Sequence, residues 1–346
     1  MNAQTACCSR ADTMVALAPD TGRSTGDTCP HALGIDVGGT NIRASIVDEA
    51  GHIVSETRRS TPSSDSELTT ALVAVIDELT VDMAVDAVGV AVAGFVARDR
   101  STVTFAPHLP WRDAPVAAEL TARTGLPVIV EHDVNAAAWG EYRFGAGGSG
   151  ENVVTLALGT GIGAALTVSG QLYRGSFGVA AELGHLQVVP DGRPCPCGKR
   201  GCWERYCSGT ALVETTVSLA HDDPEASGAL AATARAAPEH LDGYAVAVAA
   251  RSGDPFALSV LADFTHWLGV GLAMIQDIYD PDTVLLTGGV SESADLYLES
   301  ATAVAAELRT GGRFRRSAQV RVAALGASAS RIGAADLART LLAAQR

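Results

Sequence analysis

The chain has 346 residues, 47% of them apolar and only 5% aromatic, and carries a formal net charge of −14. Such a composition excludes a dominantly disordered protein, and the acidic balance argues against nucleic acid as a partner, because that affinity rests on Lys and Arg neutralising phosphates. The length favours two lobes over a single core. No apolar run is expected to span a bilayer, and no basic region followed by an apolar core opens the chain, so the expected location is the cytoplasm.

Residues 1–30 hold Cys7, Cys8 and Cys29 without periodicity and read as a loose tail, with Met14 as an alternative start. From His31 the pattern changes. Ala32 to Val37 reads as a buried strand, Ile42 to Val47 as its return, and Gly51 to Arg58 as a third strand. Between the first two stand Asp36, Gly38, Gly39 and Thr40. Exposed amides at such a tip, with a hydroxyl and a carboxylate beside them, suit a phosphate and its magnesium, and a plain glycine hairpin reads the same way.

Apolar spacing predicts a helix over Glu67 to Leu79, then a strand from Val85 to Ala93 that stops at Gly94, where a missing side chain lets a ligand approach the backbone. An extended stretch over Ser101 to Pro110 and a helix over Val116 to Thr124 follow. A strand from Leu126 to Val130 runs into Glu131, His132, Asp133, Val134 and Asn135, and a helix is expected over Ala136 to Tyr142. That junction places Asp133 at the carboxyl end of a strand, where α/β proteins carry their ligands. An aspartate there accepts a proton from a hydroxyl nucleophile or simply caps the helix.

The second half repeats this layout. Asn152 to Leu158 and Ala164 to Val168 read as strands around the turn Gly159, Thr160, Gly161, Ile162, Gly163. A lone glycine turn is a weak signal, but two such hairpins facing each other would grip a polyphosphate from both sides. Next comes ELGHLQVVPDGRPCPCGKRGCWE, residues 182–204, in which Cys195, Cys197 and Cys202 follow His185. Four such ligands on one tight loop suit a closed, structural zinc site, and buried small thiols are the plainer reading. Glu182 and Glu204 flank the ligand set, so a metal-braced loop would present an acidic wall to a polyhydroxylated ligand. Ser208 or Thr210 can cap a helix towards Leu219, and residues 221–250 read as Ala-rich helical insertions. Phe256 to Tyr279 is a long helix ended by Asp280 and Pro281. Thr283 to Thr287 is a strand opening into Gly288 and Gly289, against which a base or ribose can lie. A last strand over Val320 to Ala324 and a helix over Ala334 to Ala344 complete the chain.

Taken together, GIDVGGTNIR, RSTVTFAP, EHDVNAAAWGEYRFG, LGTGIGAAL, GVAAELGH, CPCGKRGCWERYCSG and LLTGGV resemble the motifs of the ROK family of sugar kinases, in particular its actinobacterial glucokinases, from about Leu33 to Leu342. The resemblance implies an α/β, two-lobed actin-like ATPase (ribonuclease H-like) fold. Residues 31–143 would form one lobe, residues 144–330 the other, and residues 331–346 a helix packing back on the first. ATP and Mg2+ would lie in the cleft between them. It further implies Asp133 as general base and Glu182, His185 and Glu204 as contacts to sugar hydroxyls, with His185, Cys195, Cys197 and Cys202 holding Zn2+. Asp36, Gly38, Gly39 and Thr40 would form one phosphate motif and Gly159 to Gly163 the other.

One position departs from the family pattern. The residue before the catalytic aspartate is usually Asn, whose amide contacts a ring hydroxyl, and here it is His132. Imidazole keeps one donor and one acceptor but places them differently, so a C7-cyclitol of the valiolone type stands beside glucose as the expected substrate. The family also includes repressors, which carry a winged-helix module before the first hairpin, where this sequence has about 32 residues. A sugar sensor without activity is a further alternative, disfavoured by retention of Asp133 and both hairpins. Relatives are dimers or tetramers and some use polyphosphate, so a homo-oligomer is expected and the donor stays open.

Overall fold

A computed structural model describes residues 31–148 and 150–345, with side chains to residue 343, so the readings made for residues 1–30 lie outside it. Two five-stranded sheets of the same design form the two halves of the molecule. In the first, Ala32–Val37 (β1), Asn41–Val47 (β2) and Ile53–Ser60 (β3) run antiparallel to one another, and helix Asp65–Thr80 (α1) leads to Val88–Val92 (β4), parallel to β1. Phe95–Val96 (β5), Val103–Phe105 (β6) and Arg112–Ala114 (β7) then form a small sheet of their own, where the sequence suggests only an extended stretch. Helix Val116–Thr124 (α2) ends at Gly125 in the left-handed conformation, and Val128–His132 (β8) closes the first sheet parallel to β4.

Helix Asp133–Phe144 (α3) begins at the residue after β8. Strand and helix therefore meet directly, the strand running two residues past the expected end at Val130 and the helix starting three before Ala136. The strand continues because Glu131 and His132 pair with Ala91 and Val92 of β4. A carboxylate is tolerated there only because it is matched by cationic partners.

The second sheet repeats the scheme with Val153–Leu158 (β9), Ile162–Val168 (β10) and Gln171–Tyr173 (β11), then helices Gly209–Asp222 (α4), Ala229–Ala236 (α5), Gly243–Arg251 (α6) and Pro255–Tyr279 (α7). Thr283–Thr287 (β12), helix Leu298–Leu308 (α8), Gln319–Val322 (β13) and helix Ala329–Gln345 (α9) follow. The strand orders, β3-β2-β1-β4-β8 and β11-β10-β9-β12-β13, correspond one to one, with antiparallel pairs early and parallel pairs late in both. Every residue of β4 and β12 is buried, as expected of parallel strands covered on both faces. Ser208, rather than Thr210, caps α4 by accepting from the Ala211 amide.

Helix α7 corrects the expectation that no apolar run reaches bilayer length. Its 25 residues are long and apolar enough by composition, yet 56% of its most apolar window is buried inside the protein. It runs beneath α8, α6 and α4 in the larger core, which explains the apolar length without a membrane.

Helix α9 returns from the second sheet to lie across β1, β4 and α3. It approaches so closely that a Cβ on Gly34 would stand 1.8 Å from the Arg331 carbonyl oxygen, and one on Gly89 would stand 1.9 Å from that of Ala334. Backbone on backbone leaves nothing flexible to give way. Gly89→Ala is therefore expected to destabilise the protein by about 1–3 kcal/mol or more, read as a lower midpoint of urea unfolding; an unchanged midpoint would contradict this packing.

Candidate active site

The two hairpin tips stand at equivalent places in the two sheets. In the first, Gly38 donates its amide to the Asn41 carbonyl and accepts the Thr61 hydroxyl at its own carbonyl, leaving Gly39 and Thr40 as the exposed tip. In the second, the Gly159 amide is spent on the Gly161 carbonyl, and the Gly159 carbonyl accepts the Gly209 amide at the start of α4. Thr160 is the exposed member of that tip.

Asp36 sits at the end of β1 opposite Arg43. Burial, and then the nearby Asp133 carboxylate, push its pKa up to about 6, against the opposing pull of Arg43 and Arg331. Asp133 occupies the first turn of α3 and accepts the Val134 amide at 2.8 Å, while His132 Nε2 lies 3.3 Å from its Oδ1. The capping role offered by the sequence is not taken up: His132 holds the cap position, no side chain caps α3, and the Asp133 carboxylate remains a third exposed.

Glu182, His185 and Glu204 come together from one loop. His185 Nδ1 lies 3.4 Å from Glu204 Oε1, and its Nε2 lies 3.8 Å from Glu182 Oε2. Burial raises the Glu182 pKa, Glu204 and Asp133 add to the rise, and His132 and His185 oppose it. The Asp133 carboxylate is therefore near enough to raise the pKa of both Asp36 and Glu182. Gly94, His132 and Glu182 line a single crevice of about 10 Å³, with Phe95 and Val179 among its walls. It holds little more than the volume of a water molecule.

His185, Cys195, Cys197 and Cys202 each offer a ligand atom, all within 4.8 Å of one another. Cys197 and Cys202 sulfurs are 3.6 Å apart, and Cys195 Sγ is 3.7 Å from His185 Nδ1. A tetrahedron of ~2.3 Å metal–sulfur bonds has edges of about 3.8 Å, so the donor set fits zinc in chemistry and in size. The loop turns at Gly201, whose φ of +72° and 1.7 Å approach of the Val189 carbonyl oxygen admit no side chain. Trp203 anchors it to α7 by donating to the Trp267 carbonyl. Because Nδ1 faces the sulfurs, Nε2 is left towards Glu182 and the cleft.

A cavity of about 580 Å³ opens beyond the second tip, walled by Gly159 and Thr160, the first turn of α4, the start of α6 and the turn after β12. Gly289 is on its wall, whereas Gly288 packs against the Leu158 carbonyl, Gly161 against Glu204 Oε2 and Gly163 against Val134. Tyr244 and Arg251 of α6 and Tyr297 also line it. Tyr244 falls in the stretch whose Ala-rich pattern signals helix and nothing more, and Arg251 and Tyr297 carry no sequence signal of a site. Glu131 opens the EHDVNAAAWGEYRFG motif without any role read from it, and it is buried between Arg100 and Arg174. Burial would raise its pKa, but the two guanidiniums hold it below the usual carboxylate range.

The sequence profile of the ROK family matches residues 32–341. The chain belongs to the ROK family. Among characterised ROK proteins it is 43% identical to a glucokinase of Streptomyces coelicolor over 307 residues, 89% of this chain and 97% of that one. It is 32% identical to a glucokinase of Halalkalibacterium halodurans, covering 87% of this chain and 92% of that one. Among solved structures, a ROK family glucokinase from Streptomyces griseus in complex with glucose and AMPPNP is 42% identical and superposes with a TM-score of 0.78, over 90% of this chain and 99% of that one.

Asp36 gives the ROK site a pH signature. Its folded pKa lies above the ordinary 3.8, so the stability this carboxyl contributes is complete below about pH 4 and is lost as pH rises through about 6. Asp36→Asn is expected to raise stability at pH 7.5 by up to roughly 3 kcal/mol and to leave it nearly unchanged at pH 3.5. Thermal unfolding at the two values checks this; equal shifts at both would refute it.

Proposed function

We propose that this protein is a cytoplasmic glucokinase that transfers the γ-phosphoryl group of ATP to the exocyclic primary hydroxyl of glucose. The observation that carries the reading is Asp133 at the head of α3, where strand β8 ends, its carboxylate a third exposed and near enough to Asp36 of the first hairpin and to Glu182 of the acidic wall to raise the pKa of both. The naming of relatives that are 43% and 42% identical over nearly the whole chain supports the same substrate pair. A C7-cyclitol would need the same chemistry, but it rests on His132 alone, and those relatives favour glucose.

Phosphoryl transfer asks the protein for alignment and charge stabilisation more than for covalent chemistry. Asp133 takes the proton of the attacking hydroxyl, and its place at the head of α3, one residue past a paired strand, fixes the direction from which it does so. Glu182, Glu204 and the Nε2 edge of His185 hold the ring hydroxyls. The base and ribose occupy the 580 Å³ cavity, and the exposed tips at Gly39, Thr40 and Thr160 face the polyphosphate. Asp36 is the carboxylate that would hold magnesium, which when bound would supply charge neutralisation to the polyphosphate. His185, Cys195, Cys197 and Cys202 would hold zinc, which when bound would fix the imidazole tautomer and brace the wall.

Purified protein with ATP is expected to prefer glucose over mannose, N-acetylmannosamine and a C7-cyclitol; preference for the cyclitol would overturn the substrate. Asp133→Asn is expected to lower kcat by roughly 10²–10⁴ with little change in sugar affinity, and substantial residual turnover would remove Asp133 from its role. Elemental analysis should find about one zinc per chain, lost in Cys197→Ser together with a raised KM for the sugar. Metal-free wild-type protein of full activity would sink the zinc assignment.

A further inference from the structure

The buried Glu131 cluster joins parts of the chain that the reaction needs in register. Glu131 lies in β8 two residues before Asp133, and its side chain is 3% exposed. Its Oε2 accepts from Arg174 Nε at 2.8 Å and from Arg174 Nη2 at 2.6 Å, and lies 3.3 Å from Arg100 Nε. Its Oε1 accepts from the Asn135 amide at 2.9 Å and from the His132 backbone at 3.2 Å. Both oxygens are thereby committed to the junction that carries His132 and Asp133.

Arg174 approaches from the other side of the cleft. It follows β11 in the second sheet, and its carbonyl accepts the Ala180 amide at 3.2 Å, closing the short loop that leads into Ala181 and Glu182. The same loop presses on the first half at Gly178, where a Cβ would stand 2.4 Å from the Val96 carbonyl oxygen. One residue therefore grips the strand end of the base with its guanidinium and the loop of Glu182 with its backbone. Arg100 shares the carboxylate but belongs to the turn between β5 and β6, within the first half, so it does not bridge.

We propose that Arg174 is the positioning residue that sets the spacing between the Asp133 wall and the Glu182 wall of the sugar site. The inference rests on the proposed glucose phosphorylation. It concerns the sugar alone, because the nucleotide cavity is lined entirely by residues 159–297 and includes neither Arg174 nor Glu131.

The charge count makes the test practicable. The cluster holds two guanidiniums and one carboxylate, so Arg174→Gln leaves a matched Arg100–Glu131 pair, whereas Glu131→Gln would leave two cations facing each other. Arg174→Gln is expected to raise KM for glucose roughly tenfold or more with KM for ATP changed less than about twofold. Arg100→Gln, an equal loss of charge on the same carboxylate, should leave KM for glucose within about threefold. Arg174→Lys keeps the charge but not both donors and should raise KM for glucose about threefold or more. If the glutamine variant does not purify folded, the lysine variant decides by that threshold. Equal rises for both substrates, an equal effect of Arg100→Gln, or no change in either Arg174 variant would overturn the proposal. Wild-type turnover is measured first: a protein that phosphorylates no hexose defeats the functional reading and this one together, while active wild type with unselective variants defeats this one alone.

Discussion

Glu141 is fully buried in α3, and its two oxygens accept three backbone amides: Ala146 at the end of its own helix, and Ala324 and Leu325 where the chain leaves β13. A buried carboxylate is costly unless its lone pairs are met, and here they are met by the segment that carries the chain from the second sheet back to the first. The head of the same helix packs on the other half, since Gly163 of β10 has no room for a side chain beside Val134. Helix α3 is thus fastened to the second half at both ends and to α9 along its flank. Asp133, the residue proposed as the base, is the first of that helix, so its placement depends on both halves being seated.

The repeat of the hairpin was legible in the sequence because strand, glycine turn and return strand recur in the same order, and the two sheets share one topology. The Cys/His cluster was legible for a different reason: three cysteines and a histidine stand within 18 residues of sequence, and their ligand atoms do gather. Sites that depend on distant pieces were not. Arg100 and Arg174 are 74 residues apart, and nothing local ties either to Glu131. The wall of the large cavity was equally silent, because Tyr244 and Arg251 sit on a helix whose pattern records only its packing against α7.

Where expectation and structure part, the causes are specific. The strand before Asp133 runs past Val130 because β4 continues to pair as far as His132. The small sheet of β5, β6 and β7 was hidden by strands of two and three residues, too short to show alternation. Helix α7 is apolar on nearly all sides because α4, α6 and α8 all cover it, and burial by protein mimics in composition what burial by lipid demands.

The cavity beyond Thr160 is built from one half of the molecule, while the acidic wall and the aspartate opposite it are divided between the two. A molecule seated in the first meets a surface that the second half supplies alone. A molecule seated in the second would draw its partners from both halves, so any displacement of one half against the other would be felt there first.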